Sequence, residues 1–112
     1  ILVNYDQFVV SDIDSDGEDE LVTCLGYGFG RYIITLSAFK YNSKEMVMLC
    51  KTQYEQKGSL DMFIRQNNGN VEVIAGQKKN GEIVVSESYG NLEINNGVLR
   101  PRKKDIPFKI LK

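Results

Sequence analysis

Short runs of β-branched and aromatic residues, broken by Gly and Asn, recur along the whole chain, while apolar stripes of helical period are nearly absent. The pattern predicts an all-β protein. Strands are expected at Gln7–Ser11, Glu20–Leu25, Arg31–Tyr41, Glu45–Lys51, Leu60–Gln66, Asn70–Gly76, Glu82–Ser88 and Asn91–Asn95, with further pairing around Val98–Arg100 and Ile106–Leu111. Asn68-Gly69, Asn80-Gly81 and Asn96-Gly97 suit the positive φ angles of type I′ hairpin turns, so the pairing should be largely antiparallel. In the third run Tyr32, Ile34, Leu36 and Ala38 share one face and Thr35 and Ser37 the other, which predicts one buried and one wetter side. Met46 to Cys50 are continuously apolar, which predicts a strand covered on both faces, between two sheets. Tyr54–Met62 is the lone helix candidate, but Gly58 interrupts it and no long apolar stripe supports it. It reads as a connection between two groups of about four strands.

With 112 residues the chain has room for one domain. Within it two similar units are expected, about 7–51 and about 60–100, followed by a basic strand at 101–112. Apolar residues make up 42% and charged residues 26%, with a net charge of −1, values of ordinary globular chains. No apolar run approaches the roughly 20 residues of a membrane-spanning helix. Because the chain has no histidine, Ser-His-Asp and Cys-His catalysis and His-ligated zinc are excluded; two cysteines cannot form a Cys₄ zinc site. The first residue is Ile1 rather than Met, the expected mark of a processed or trimmed piece. Charge is uneven: acids crowd the first thirty residues, and Arg100, Arg102, Lys103, Lys104, Lys109 and Lys112 crowd the end. The basic end reads as a protected strand edge; it lacks the interleaved aromatics of a nucleic-acid platform, so no nucleic acid is expected as a partner.

The segment Asp12-Ile13-Asp14-Ser15-Asp16-Gly17-Glu18-Asp19-Glu20 places oxygen ligands at loop positions one, three, five and nine and glycine at six. Hard cations want this arrangement: calcium takes six to eight oxygens, and carboxylates on alternate residues of a tight turn can converge on one point. Asp12, Asp14, Asp16 and Glu20 are expected to supply side-chain oxygens to one Ca²⁺, and Glu18 its backbone carbonyl, with Asp19 pointing away. Without a cation the carboxylates would repel one another. An EF-hand is excluded, since position twelve is Thr23 rather than a bidentate Glu and the flanks read as strands. A dockerin-type repeat fails for the same reason.

A nine-position loop between strands, carried here by Phe8-Val9-Val10-Ser11-Asp12 through Glu20-Leu21-Val22, resembles the calcium loops of FG-GAP/VCBS repeats, the blades of integrin-α-like β-propellers. The resemblance implies that the loop joins the first two strands of a four-stranded blade, which residues 31–51 complete. Residues 60–100 have the strand count of a second blade without a second aspartate loop. It therefore implies two antiparallel, blade-like sheets packed together rather than a closed propeller, which needs about four to eight blades. Short bacterial extracellular and lipoprotein modules are the nearest relatives implied. Calcium affinities of such modules suit the extracellular medium, so a secreted or cell-surface location is expected, with a lipid anchor in the parent chain as one form of it. If blade order holds, Cys24 and Cys50 lie two strands apart, about 9–10 Å, too far for a disulfide; two buried, unreactive thiols are expected.

Gly26-Tyr27-Gly28-Phe29-Gly30 mimics a phosphate loop but leads into a strand, with no helix or Walker lysine after it. It reads as a hairpin connection; the functional alternative is that Tyr27 and Phe29 form a binding face beside the calcium loop. The expected function is non-catalytic: a calcium-stapled binding or scaffold module whose surface partner is a protein or a glycan. One rival is a carboxylate-based glycan hydrolase, although Asp61, Glu72, Glu82, Glu87 and Glu93 read as scattered, solvated residues. The other rival is a structural fragment of a larger propeller. Oligomeric state is not legible.

Overall fold

A computed structural model describes residues 2–3, 8–28 and 32–111. Among the described residues there are ten strands: β1 (Leu2–Val3), β2 (Phe8–Ser11), β3 (Glu20–Tyr27), β4 (Ile33–Asn42), β5 (Glu45–Gln56), β6 (Asp61–Asn67), β7 (Asn70–Lys79), β8 (Glu82–Asn95), β9 (Val98–Pro101) and β10 (Phe108–Leu111). All described pairings are antiparallel. One sheet runs β10-β5-β4-β3-β2; the other runs β1-β8-β7-β6, with β9 bonded to the far half of β8. The protein is therefore all-β, two packed antiparallel sheets that do not close on themselves. Gln7, Phe29 and Arg31, each expected in a strand or its hairpin, lie outside the described residues.

Strand alternation decides what each face buries. Val9 of β2, Val22 of β3, Ile34, Leu36 and Ala38 of β4 and Tyr54 of β5 point inward, against Met62, Ile64, Val71, Val73 and Ala75 of the second sheet. This is one continuous core, closed at one end by Tyr89, Leu92, Leu99 and Phe108. The Tyr54 hydroxyl donates to the Leu99 carbonyl (2.7 Å), and the Leu99 amide donates to the Thr52 hydroxyl (2.9 Å), so polar groups buried at the seam between β5 and β9 are paired. At the three Asn-Gly turns the asparagines hold φ of 52–54° and the glycines 77–80°, the left-handed pair a type I′ turn requires.

Several expectations are corrected. β5 runs on to Gln56, so Tyr54 is a core strand residue, Met62 belongs to β6, and the connection is only residues 57–60. Strands expected separately at Glu82–Ser88 and Asn91–Asn95 are one strand, β8. A bulge there pairs Val73 with Gly90 and Ile74 with Ser88, leaving Tyr89 unopposed and turned into the core. Of the basic strand expected at 101–112, Pro101 ends β9 and Phe108–Leu111 form β10, which crosses back to pair with β5 of the first sheet through Gln53–Gln56. Consequently residues 45–51 have β4 as their described neighbour, and Met46, Val47, Met48 and Leu49 are exposed rather than covered on both faces. The apolar run marks a strand segment that extends beyond the core, not one inside it.

Cys24 and Cys50 flank β4, opposite Leu36 and Ala38, and are free, as their two-strand separation predicts. Both are half-buried at the edge of the core rather than fully buried. The Cys24 thiol donates to the Met62 carbonyl (3.6 Å), and burial pushes its pKa up to about 12; burial raises that of Cys50 as well.

Candidate metal centre

The loop between β2 and β3 is shaped by its own side chains. Asp12 accepts from the amides of Asp16 (Oδ1, 3.1 Å) and Gly17 (Oδ2, 2.9 Å), Asp14 accepts from Asp16 (3.3 Å), and Asp16 accepts from Glu18 (2.9 Å). Ser15 and Gly17 hold φ of 60° and 90°, the two left-handed positions at which the chain reverses. Residue 17 is glycine because L side chains rarely take that conformation. The loop is also tied to the second sheet: the hydroxyl of Ser11, next to Asp12, donates to the Gly69 carbonyl in the β6–β7 turn (2.6 Å).

Glu20 enters from the other side of the loop. Its position on β3 has the parity of Val22, so its side chain points inward and is fully buried, at 0% exposure. Oε1 accepts from the Ile13 amide (3.0 Å); Oε2 is buried with no hydrogen-bond partner. Carboxylate oxygens of Asp12, Asp14, Asp16 and Glu20 all lie within 4.8 Å of one another, a group able to hold a metal ion. These are the four side chains singled out from the sequence. Glu18, expected to contribute only its carbonyl, turns its side chain outward to Lys40.

Lys40 is the residue that pattern reading missed. It lies on β4 directly opposite Glu20, its ammonium paired with Asp16 Oδ2 and with Glu18 Oε2 (3.2 Å). Once the β3–β4 register is known, its position follows from alternation. Lys40 holds the Asp16 carboxyl down at about 2, and the two carboxylates raise the Lys40 pKa in return. Desolvation raises the pKa of Glu20, with the charges of Asp14 and Asp16 adding to it. Asp14 is raised as well, by desolvation and by its hydrogen bonds with Asp16 and Asp12. The single Lys40 charge faces several carboxylates, and two of the four favour keeping a proton.

The other acids are accounted for differently. Glu72, expected to be solvated, is buried on the outer face of the second sheet, where Arg65 (2.7 Å), Ser88 (2.6 Å) and Asn67 (3.3 Å) all donate to it; Arg65 lowers its pKa. Glu87 pairs with Lys103, Glu93 with Arg102 (3.6 Å), and Asp61 accepts from Gln56 (3.1 Å). Tyr27 is exposed, but it ends β3 seven residues beyond Glu20, roughly 24 Å along an antiparallel strand, and so does not lie beside the aspartate loop. A Cβ on Gly26 would fall 2.2 Å from the Tyr32 hydroxyl, so a larger residue there would require the Tyr32 ring to move.

No protein-family model matches the chain, and no curated protein or solved structure matches it. Its functional reading therefore rests on the four carboxylates themselves.

Proposed function

We propose that the chain is a calcium-binding β-module in which one Ca²⁺ staples β2 to β3, held by Asp12, Asp14, Asp16 and Glu20 with the Glu18 carbonyl. The observation that carries this reading is Glu20: its Oε2 is buried without a hydrogen-bond partner, and its carboxylate lies among those of three aspartates, one oxygen of each within 4.8 Å of the others. A buried acceptor without a partner costs about 1–3 kcal/mol, and a cation among these oxygens removes that cost. The donor set is oxygen alone, which suits a hard cation such as calcium rather than zinc or copper. The role is structural rather than sensory, because a strand-loop-strand unit offers no helix pair to open. Catalysis is not part of the proposal, nor is a glycan hydrolase, since the acids named for it outside the loop, Glu82 apart, have hydrogen-bond or ion-pair partners.

An FG-GAP/VCBS-like module at a cell surface or in the secreted space, serving binding or scaffolding toward a protein or glycan, is the setting this site fits best. Millimolar calcium outside cells would fill a site with a Kd of about 10⁻⁴–10⁻³ M. The test is thermal unfolding in calcium, in magnesium and in chelator. The melting temperature should rise in calcium and much less in magnesium, whose tighter octahedral demand the loop does not serve; equal melting in all three conditions would refute the proposal.

A further inference from the structure

The outer face of the first sheet carries an apolar patch at its Tyr41–Met46 end, gives way to Thr23, Ser37 and Lys51 in the row of Phe8, and has no described element packed on it. Cross-strand register places Val10, Leu21, Phe39 and Met48 in one row, Tyr41 beside Met46 in the next, and Phe8 and Leu25 below. Phe8, Val10, Leu25, Tyr41, Met46 and Met48 are 47–64% exposed. The second sheet differs: its outer face carries the internally paired Arg65–Glu72–Ser88 polar network.

We propose that this face is a self-association surface, occupied by the same face of a second copy of the chain. The six side chains present on the order of 600 Å², the upper limit for a monomer's largest apolar patch, and with a polar rim this reaches the roughly 800 Å² per partner of a standard stable interface. Its shape is self-complementary. Phe8, Leu21, Thr23 and Leu25 line a shallow depression of about 290 Å³ at the β2–β3 side, while Tyr41 and Met46 stand out at the diagonally opposite end, on the β4–β5 hairpin. A two-fold axis in the interface plane, crossing the line between these ends, seats each copy's Tyr41–Met46 in the other's depression, so every contact is made twice. A net charge of −1 sets up little repulsion between copies.

Sedimentation equilibrium of the whole chain, from about 1 µM to about 200 µM, brackets a micromolar Kd. The wild type should reach twice its 12.7 kDa mass. Leu25→Lys in the depression and Tyr41→Lys on the hairpin each alter an exposed position, so circular dichroism should be unchanged, while each weakens the dimer about 100-fold or more by burying a charge twice. Val84→Lys, at an exposed apolar residue of the other sheet, should leave it intact. A wild type that stays monomeric throughout would overturn the proposal and give the face to another protein. A dimer that survives both face variants, or is lost with Val84→Lys, would overturn it equally.

Discussion

Replacing Glu20 with Gln separates a metal ligand from a structural carboxylate, because the two roles predict opposite signs. The amide keeps an oxygen to accept from the Ile13 amide and keeps the side-chain volume, but removes a buried negative charge next to three aspartates. Without calcium, wild type carries an orphaned Oε2 that costs about 1–3 kcal/mol, whereas the Gln amide can donate to a neighbouring carboxylate. A chain of this length unfolds with an entropy of roughly 0.24 kcal/mol/K, so Glu20→Gln should raise the melting temperature in chelator by about 4–12 °C. In calcium that gap should close. At about 10 mM calcium and a Kd of about 10⁻⁴–10⁻³ M, binding adds roughly 1.4–2.7 kcal/mol to wild type, or about 6–12 °C, and the variant, short of one anionic ligand, should gain only a small part of this. Differential scanning calorimetry on both proteins in both buffers reads the two shifts. A variant that melts lower than wild type by the same amount in both conditions would show that Glu20 serves the fold alone.

In metal-free buffer the raised pKa values of Glu20 and Asp14 mean that the folded state takes up protons before the unfolded chain does. Their contribution is fully present below the unfolded carboxyl range and lost as pH rises through the folded values, so metal-free melting temperature should climb as pH falls from neutrality toward about 4.5; saturating calcium should reverse that slope. Asp16 and Glu72 have the opposite sign: their stabilisation is present above the unfolded values and fades only as pH drops through their lowered ones, giving acid unfolding below that window. Lys40→Met removes the cation beside Asp16 and Glu18, so it should lower stability in chelator and tighten calcium binding several-fold, read by titration calorimetry. Under oxidising conditions intact mass should show no Cys24–Cys50 cross-link, and thiol reagent should label Cys24 more slowly in the folded than in the unfolded chain; a native disulfide would contradict the β3-β4-β5 order.

Local chemistry was legible in the sequence, and long-range placement was not. The Asn-Gly turns and the period-two run of β4 carry their own backbone instructions, so the hairpins and the inward face of β4 are legible directly. The aspartate loop was legible because alternate carboxylates around Gly17 have few other uses. The course of β10 back to β5 depends on which edge the tail meets after Pro101, and nothing local encodes that choice. A run such as Met46–Leu49 is equally apolar whether it lies inside a core or at an exposed surface, so its pattern alone does not give its exposure. Tyr89 hid a bulge, since an extra residue in one strand shows only against its partner. Glu72 read as solvated because its partners, Arg65 and Ser88, come from different strands. For the same reason Lys40, twenty residues from Glu20, was invisible until the β3–β4 register joined them.

The most direct measurement is calorimetric titration of calcium into the metal-free protein, alongside a double variant, Asp14→Ala with Asp16→Ala. Wild type should bind a single ion per chain with a saturable heat and a Kd of about 10⁻⁴–10⁻³ M, and the variant should give none. Heats that are the same for both proteins, or that never saturate, would mean that the four carboxylates converge for some reason other than a metal.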